Sequence, residues 1–188
     1  MPLRLLVVSL LLAGLVLPLA AGAPKEADFP PAIERSGESW PVQGAYRYVY
    51  RLFFPLYEAA LYVQPEADPA QVLAAGSGFQ LRFYYLREIE KSIILKSAGR
   101  MLEKNLDEAA RARIAERVER LNRYYTTVRE GDQSSLTFEP GRGPTLAING
   151  EDQVTIEGAD FARDYFTIWF GPSPLSQELK EALLGRDD

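Results

Sequence analysis

The chain has 188 residues, enough for one domain with a sizeable core, and its 21 Lys and Arg against 26 Asp and Glu give a net charge of −5. This acidic balance argues against nucleic acid as a partner, and no compact basic patch is visible. The sequence has no histidine and no cysteine, which excludes disulfides, zinc sites built from those ligands, and Ser-His-Asp or Cys-His catalysis. Histidine-ligated haem is excluded too. A tyrosinate ligand stays formally open, but we expect no cofactor and no metal.

Residues 1–23 are predicted to be a secretory signal peptide. Arg4 precedes an apolar run over 5–19, and small residues follow at 20–23, which is the pattern of a cleaved export signal. The run is shorter than the ~20 residues of a membrane-spanning helix, although an uncleaved anchor is the alternative. We expect the mature chain to begin between Gly22 and Pro24. With no later apolar run long enough to span, it is expected to be soluble and exported, with the bacterial periplasm as its location.

The rest of the chain is predicted to be a loose N-terminal arm over 24–40, rich in proline and charge, followed by one domain over 41–188. Within that domain, stretches rich in aromatic and β-branched residues predict strands, and apolar residues at helical spacing predict helices. The predicted strands are 47–53, 56–63, 79–87, 135–139, 144–148 and 154–156. The predicted helices are a short one opened by Asp68 and Pro69, then 90–106, and 108–126 with Asp107 as its cap.

The C-terminal stretch 158–185 is predicted to form two short helices joined at a glycine. Asp160 is the predicted N-cap of the first, and Gly171 its left-handed C-terminal residue. Two apolar faces follow from the spacing: Phe161, Tyr165, Ile168 and Trp169 in the first helix, and Leu179, Leu183 and Leu184 in the second. Runs of strands and runs of helices, without regular alternation, indicate an α+β fold with an antiparallel sheet covered by a layer of helices.

Several short motifs stand in a fixed order along the chain, from Gly-Ala-Tyr-Arg at 44–47 to Ala-Leu-Leu-Gly at 182–185. The others lie at 56–62, 83–89, 128–132, 140–143, 148–150, 160–162 and 168–171. In order and spacing they resemble bacterial chalcone isomerase-like proteins. The resemblance implies a chalcone isomerase-like fold, in which a ligand cleft lies between the sheet and the helices.

Five residues are predicted to bind the ligand. By strand alternation Arg87 shares the apolar face of Phe83 and Tyr85, so its guanidinium must meet an internal carboxylate, backbone carbonyls or an anionic ligand. In plant chalcone isomerases and the related fatty-acid-binding proteins, which the chain resembles, the first strand carries a functional arginine. Arg47 is the better match to it, with Arg51 as the alternative. Arg47 has no obvious partner nearby in sequence. The resemblance also implies a hydroxyl residue in the second strand, a place that Tyr57 fills. The alternative for Tyr57 is a core residue with a satisfied hydroxyl.

These residues favour a non-enzymatic binder of a small hydrophobic anion, such as a fatty acid. A tyrosine at position 57 looks more like the fatty-acid binders than the isomerases of the resembled families. The alternative function is an isomerase, or intramolecular lyase, of the chalcone isomerase type that acts on an enone, with Arg47 and Tyr57 as its catalytic residues. A third hypothesis is an interaction module in the cell envelope. The sequence identifies no protein partner.

Overall fold

The protein is described by a computed structural model that covers Ala27, residues 29–51 and residues 53–186. The described residues form an α+β domain, as predicted, around a seven-stranded sheet in which each strand pairs antiparallel with the next along the chain. The strands are β1 (Ala32–Arg35), β2 (Glu38–Tyr50), β3 (Phe54–Val63), β4 (Phe79–Tyr85), β5 (Gln133–Glu139), β6 (Gly143–Ile148) and β7 (Glu151–Thr155). A short 3-10 helix, Pro69–Ala74, links β3 to β4.

The described residues also form five α-helices: α1 (Lys91–Asn105), α2 (Glu108–Tyr124), α3 (Ala159–Tyr165), α4 (Thr167–Phe170) and α5 (Gln177–Leu183). The predicted helices at 90–106 and 108–126 are confirmed, because their signals are local. Asp107 accepts a hydrogen bond from the Ala110 amide at 2.7 Å, and Asp68 caps the 3-10 helix in the same manner.

The sheet has two faces that serve different purposes. Alternate residues of β3 and β4, Tyr57 and Leu61 with Leu81 and Tyr85 among them, point toward the helices and form the main core. We call this the inner face. The residues between them, such as Glu58, Tyr62 and Arg82, lie on the opposite side, which we call the outer face. Because strand partners share a face, the register across each pair fixes which side every residue takes.

The C-terminal helices close the core over the inner face. Both predicted apolar faces are confirmed, since all seven of their residues are buried. The predicted residues at the two ends of the first C-terminal helix, Asp160 as its N-cap and Gly171 as its left-handed end, are wrong. Gly158 precedes α3, and Asp160 instead lies in the first turn, where Arg117 binds its carboxylate. Gly171 is extended, with φ −69°, and not left-handed. A Cβ there would lie 2.6 Å from the Thr167 carbonyl oxygen and 2.4 Å from the Asn105 Oδ1 atom, so the close approach to the backbone of α4 requires glycine.

The N-terminal segment is not loose from Ala32 onward, which corrects that prediction. β1 and β2 form a hairpin through a turn at Ser36 and Gly37, both with positive φ, which suits the right-handed twist of the strands. Ile33 and Trp40 pack against Tyr62 in a small second core on the outer face. Burial of two large apolar side chains therefore holds a segment that composition alone marks as polar.

The predicted signal peptide and its cleavage site lie outside the described residues. Among the helices formed by residues 27, 29–51 and 53–186, none combines the length and apolar character required to cross a bilayer.

Candidate functional site

A row of aromatic side chains runs along the inner face from β2 toward the C-terminal helices. Tyr48 stacks on Tyr57 with ring centroids 5.1 Å apart, and Phe83 meets Tyr57 edge-on at 5.4 Å. Trp169 follows at 5.6 Å from Phe83, and Tyr165 lies 6.0 Å from Trp169. This aromatic row forms an apolar surface between the sheet and the helices, with phenol hydroxyls set into it.

The Tyr57 hydroxyl is buried without a hydrogen-bond partner among the described residues. Tyr57 is only 7% exposed, and its oxygen makes no hydrogen bond with any described residue. Tyr57 is thus a core residue, as the alternative interpretation predicted, but its hydroxyl is not satisfied by any described residue. Burial raises the pKa of Tyr57 well above its ordinary value, and the neighbouring tyrosines 48 and 85 add to the effect. The group stays protonated at neutral pH and is available as a donor to an anion.

The other buried phenols of the main core have partners. The Tyr85 hydroxyl lies 2.8 Å from Ser134 Oγ, and burial raises the pKa of Tyr85 to about 12. The hydroxyls of Tyr125 and Tyr165 lie 3.4 Å apart, and burial raises the pKa of Tyr165 to about 12 as well. Among these buried phenols, Tyr57 is the one whose hydroxyl no described residue satisfies.

The end of the β2–β3 hairpin leaves an apolar surface open beside the aromatic row. A bulge after Tyr48 brings Phe54 opposite Tyr50, and these side chains are 48% and 45% exposed. Phe53, in the turn, is 80% exposed. Exposed aromatic side chains that adjoin one another mark an interaction surface more often than scattered ones do. We call this hairpin end the mouth of the aromatic row.

Arg87 lies at this mouth. It comes two residues after Tyr85, in a bend beyond the end of β4, and its guanidinium carbon sits 5.6 Å from the centre of the Phe54 ring. Its Nε atom is buried and makes no hydrogen bond, and no carboxylate pairs with Arg87 among the described residues. The internal partner considered for Arg87 is thus absent from the described part of the chain.

Arg47 lies on the outer face, on the side of the sheet away from Tyr57. Its strand partner is Glu58, and the Arg47 Nε and Nη2 atoms lie 2.7 and 2.6 Å from Glu58 Oε1. The expectation that Arg47 lacks a nearby partner is therefore wrong, because hairpin pairing brings a carboxylate from 11 residues away. Arg51, with φ 49°, is exposed in the turn at the mouth and stacks over the Tyr50 ring at 5.3 Å.

Of the five predicted residues, the structure brings together Tyr57 and Tyr85, with ring centroids 6.3 Å apart, and places Arg87 and Arg51 at the mouth. Sequence reasoning missed Tyr48 as a site residue. Its alternation with Tyr46 and Tyr50 was a usable signal, since it predicts a tyrosine face on β2.

Two cavities formed by the described residues lie elsewhere. One, of about 90 Å³, sits at the 3-10 helix between Val63 and Phe79, and the other, of about 280 Å³, is on the outer face around Arg82. Neither is lined by Tyr57 or Arg87.

The fold is that of a chalcone isomerase-like protein. Residues 23–185 match the model of the family described as chalcone isomerase-like, so the chain belongs to that family. A solved structure, that of a fatty-acid binding protein of Arabidopsis thaliana, is similar with a TM-score of 0.63 and 14% sequence identity. The match covers 84% of this chain and 91% of that one, and it establishes the shared fold. No curated protein matches the sequence.

Proposed function

We propose that the protein binds a small hydrophobic anion of the fatty-acid type between its sheet and helices, without catalysis. The observation that carries this proposal is the buried, unpartnered Tyr57 hydroxyl on an apolar aromatic row whose open end bears an arginine. An unpaired donor in the core is destabilising by about 1–3 kcal/mol unless a ligand satisfies it. The similar Arabidopsis structure, a fatty-acid binding protein, supports the same class of ligand.

The arginines at the mouth would bind the carboxylate of the ligand. Arg87, and Arg51 in the turn, place positive charge at the mouth, where a carboxylate can stay partly hydrated while it accepts charge-assisted hydrogen bonds. The acyl chain would lie against Phe83 and Trp169, and each buried CH₂ contributes about 0.8 kcal/mol. Because the aromatic rings are in contact with one another, the chain enters by displacing Tyr48, which is half-buried and lies nearest the mouth.

The tyrosines of the inner face are poorly suited to acid–base catalysis. Burial raises the pKa of Tyr57, Tyr85 and Tyr165, and thus holds each phenol in its protonated form far above neutral pH. A general base works best with a pKa near the operating pH. These phenols can donate a hydrogen bond, which suits binding, but none is poised to remove a proton.

Titration calorimetry with a series of saturated fatty acids tests the proposal. Affinity should rise roughly fourfold for each added CH₂, the equivalent of about 0.8 kcal/mol. Arg87→Gln should weaken binding roughly tenfold or more, since a charged hydrogen bond contributes about 1.5–3 kcal/mol.

Arg47→Gln is the matched control, with the same charge change on the other side of the sheet, and should leave the affinity unchanged. A loss confined to Arg47→Gln would place the ligand on the outer face and contradict the proposal. Turnover of a chalcone by the parent protein would favour the isomerase alternative.

We also propose that the protein acts outside the cytoplasm, in the periplasm of a bacterium, on the strength of the export-signal pattern in residues 1–23. N-terminal sequencing of the protein from cell fractions tests this. A mature chain starting between Gly22 and Pro24 in the soluble envelope fraction is expected, whereas an intact Met1 in the membrane pellet would contradict it.

A further inference from the structure

The outer face carries a polar recess that the proposed fatty-acid site does not use. The recess measures about 280 Å³ and is lined by Arg35, Arg82, Gln133 and Ser135, with Gly150 at one end. This volume lies near the lower end of the range for small-molecule sites, roughly 300–1,000 Å³. The residues come from β1, β4, β5 and the turn after β6, so the fold of the N-terminal hairpin over the sheet creates the recess.

Two arginines line this recess. Arg82 rises from β4, where its Nε donates to Gln80 Oε1 at 3.1 Å and its guanidinium carbon lies 5.3 Å from the centre of the Tyr62 ring. Arg35 follows Ile33 on β1 by two positions, so the side chain points toward the sheet as that of buried Ile33 does. Burial lowers the pKa of Arg82, the Tyr62 phenol opposes this, and the positive charge of Arg35 lowers it further.

Neither guanidinium has a carboxylate partner among the residues that the structure describes. Glu38, across the turn from Arg35, instead accepts a hydrogen bond from the Gln64 amide at 2.9 Å. Glu139, nearer the hairpin tip, accepts from Ser36 and pairs with Arg142. Two half-buried like charges without a counter-charge repel one another, and arginines in such positions ordinarily have partners.

We propose that this recess binds a small dianionic oxyanion of the phosphate class between Arg35 and Arg82. A dianion neutralises both guanidiniums at once, whereas a monocarboxylate leaves one positive charge unbalanced. The planar guanidinium fork matches phosphate oxygens in bidentate fashion. The Ser135 hydroxyl and the Gln133 amide, which line the recess, supply further donors to the remaining oxygens. The site is separate from the fatty-acid site, because the sheet lies between them.

Titration calorimetry of the whole protein at constant ionic strength, in a phosphate-free buffer, tests the proposal with inorganic phosphate and phenyl phosphate as probes. Saturable binding of at least one is expected. Tighter binding of phenyl phosphate would indicate an organic phosphate ester as the ligand, and equal binding would indicate free phosphate. Arg35→Gln and Arg82→Gln should each weaken binding at least tenfold, and Arg82→Lys should recover only part of the affinity.

Arg120→Gln, an exposed arginine on α2, is the control with the same charge change. Thermal melts without anion show that each variant is folded. Arg35→Gln should melt no lower than the parent, because it removes a repulsion. The proposal is overturned if the parent binds neither probe, if folded Arg35→Gln and Arg82→Gln bind as tightly as the parent, or if Arg120→Gln loses as much affinity as they do.

Discussion

Tyr57→Phe should make the ligand-free protein more stable and the fatty-acid complex weaker. The substitution removes one oxygen and keeps the ring contacts to Tyr48 and Phe83 at 5.1 and 5.4 Å. The hydroxyl is buried and has no partner among the described residues, so its removal eliminates a desolvation cost of about 1–3 kcal/mol. A small gap remains where the oxygen was, which offsets part of this gain. We expect a net stabilisation of about 1–2 kcal/mol.

Urea unfolding of the two proteins, read by far-UV circular dichroism, measures this difference. The midpoint should rise in Tyr57→Phe with no change in the slope of the free energy against urea concentration. A thermal melt should show an increase of about 2–4 °C for each kcal/mol in a chain of this size. With fatty acid present, the variant should bind roughly tenfold more weakly, since it lacks one hydrogen bond to the carboxylate.

Tyr85→Phe is the matched control, because it removes a phenol oxygen from the same face. The Tyr85 hydroxyl is hydrogen-bonded to Ser134 at 2.8 Å, so its loss should destabilise the protein by about 1 kcal/mol. The two variants should therefore move the unfolding midpoint in opposite directions. If Tyr57→Phe lowers the midpoint as Tyr85→Phe does, the Tyr57 hydroxyl has a partner in solution, and the main support for the proposed ligand site is lost.

Three further predictions concern the fold. Trp169→Ala should destabilise the protein by roughly 3–5 kcal/mol in urea melts, because the indole is buried in the aromatic row; a change below about 0.5 kcal/mol would refute this placement. Arginine binding lowers the pKa of Asp160 to about 2, below the unfolded value of about 3.9, so the carboxylate stabilises the fold above pH 4. Because the Asp160 side chain is 38% exposed, we discount its contribution to the free energy of unfolding to about 1 kcal/mol. This contribution should be lost between pH 4 and 2. The difference in stability between the parent and Asp160→Asn should therefore disappear over the same range. Gly44→Ala should lower the free energy of unfolding by about 2–3 kcal/mol or more, because the added Cβ would lie 1.9 Å from a carbonyl oxygen of α5. The control is Gly99→Ala, in open space on α1, which should be neutral or stabilising. Equal effects of the two substitutions would contradict the close packing of α5 on β2.

The sequence predicted the elements of this fold well where the signals were local. Helical spacing, the Asp107 cap and the aromatic strands each depend on residues within a few positions of one another. The assignment of Asp160 as an N-cap failed because its carboxylate is taken by Arg117, 43 residues away. The strand β1 was missed for a similar reason: Ile33 is held by long-range packing with Trp40 and Tyr62, and not by propensity.

The site was harder to predict because a ligand-binding face depends on strand register. Strand alternation puts Arg47 and the tyrosines of β2 on opposite faces, but only the pairing with β3 shows that Tyr57 joins Tyr48 while Arg47 meets Glu58. The bulge after Tyr48, which aligns Phe54 with Tyr50 at the mouth, leaves no local sequence signal. Residue types suggested the chemistry of the site, and register decided which of those residues could act together.

Photocrosslinking with a fatty acid that carries a diazirine in its acyl chain tests most directly where the ligand lies. After irradiation of the saturated complex, digestion and mass spectrometry identify the labelled peptides. Binding between sheet and helices predicts labels on Tyr57, Phe83 or Trp169, which competing unlabelled fatty acid should suppress. Labels confined to outer-face residues such as Tyr62 and Arg82, or labelling that unlabelled fatty acid does not suppress, would contradict a fatty-acid site on the inner face.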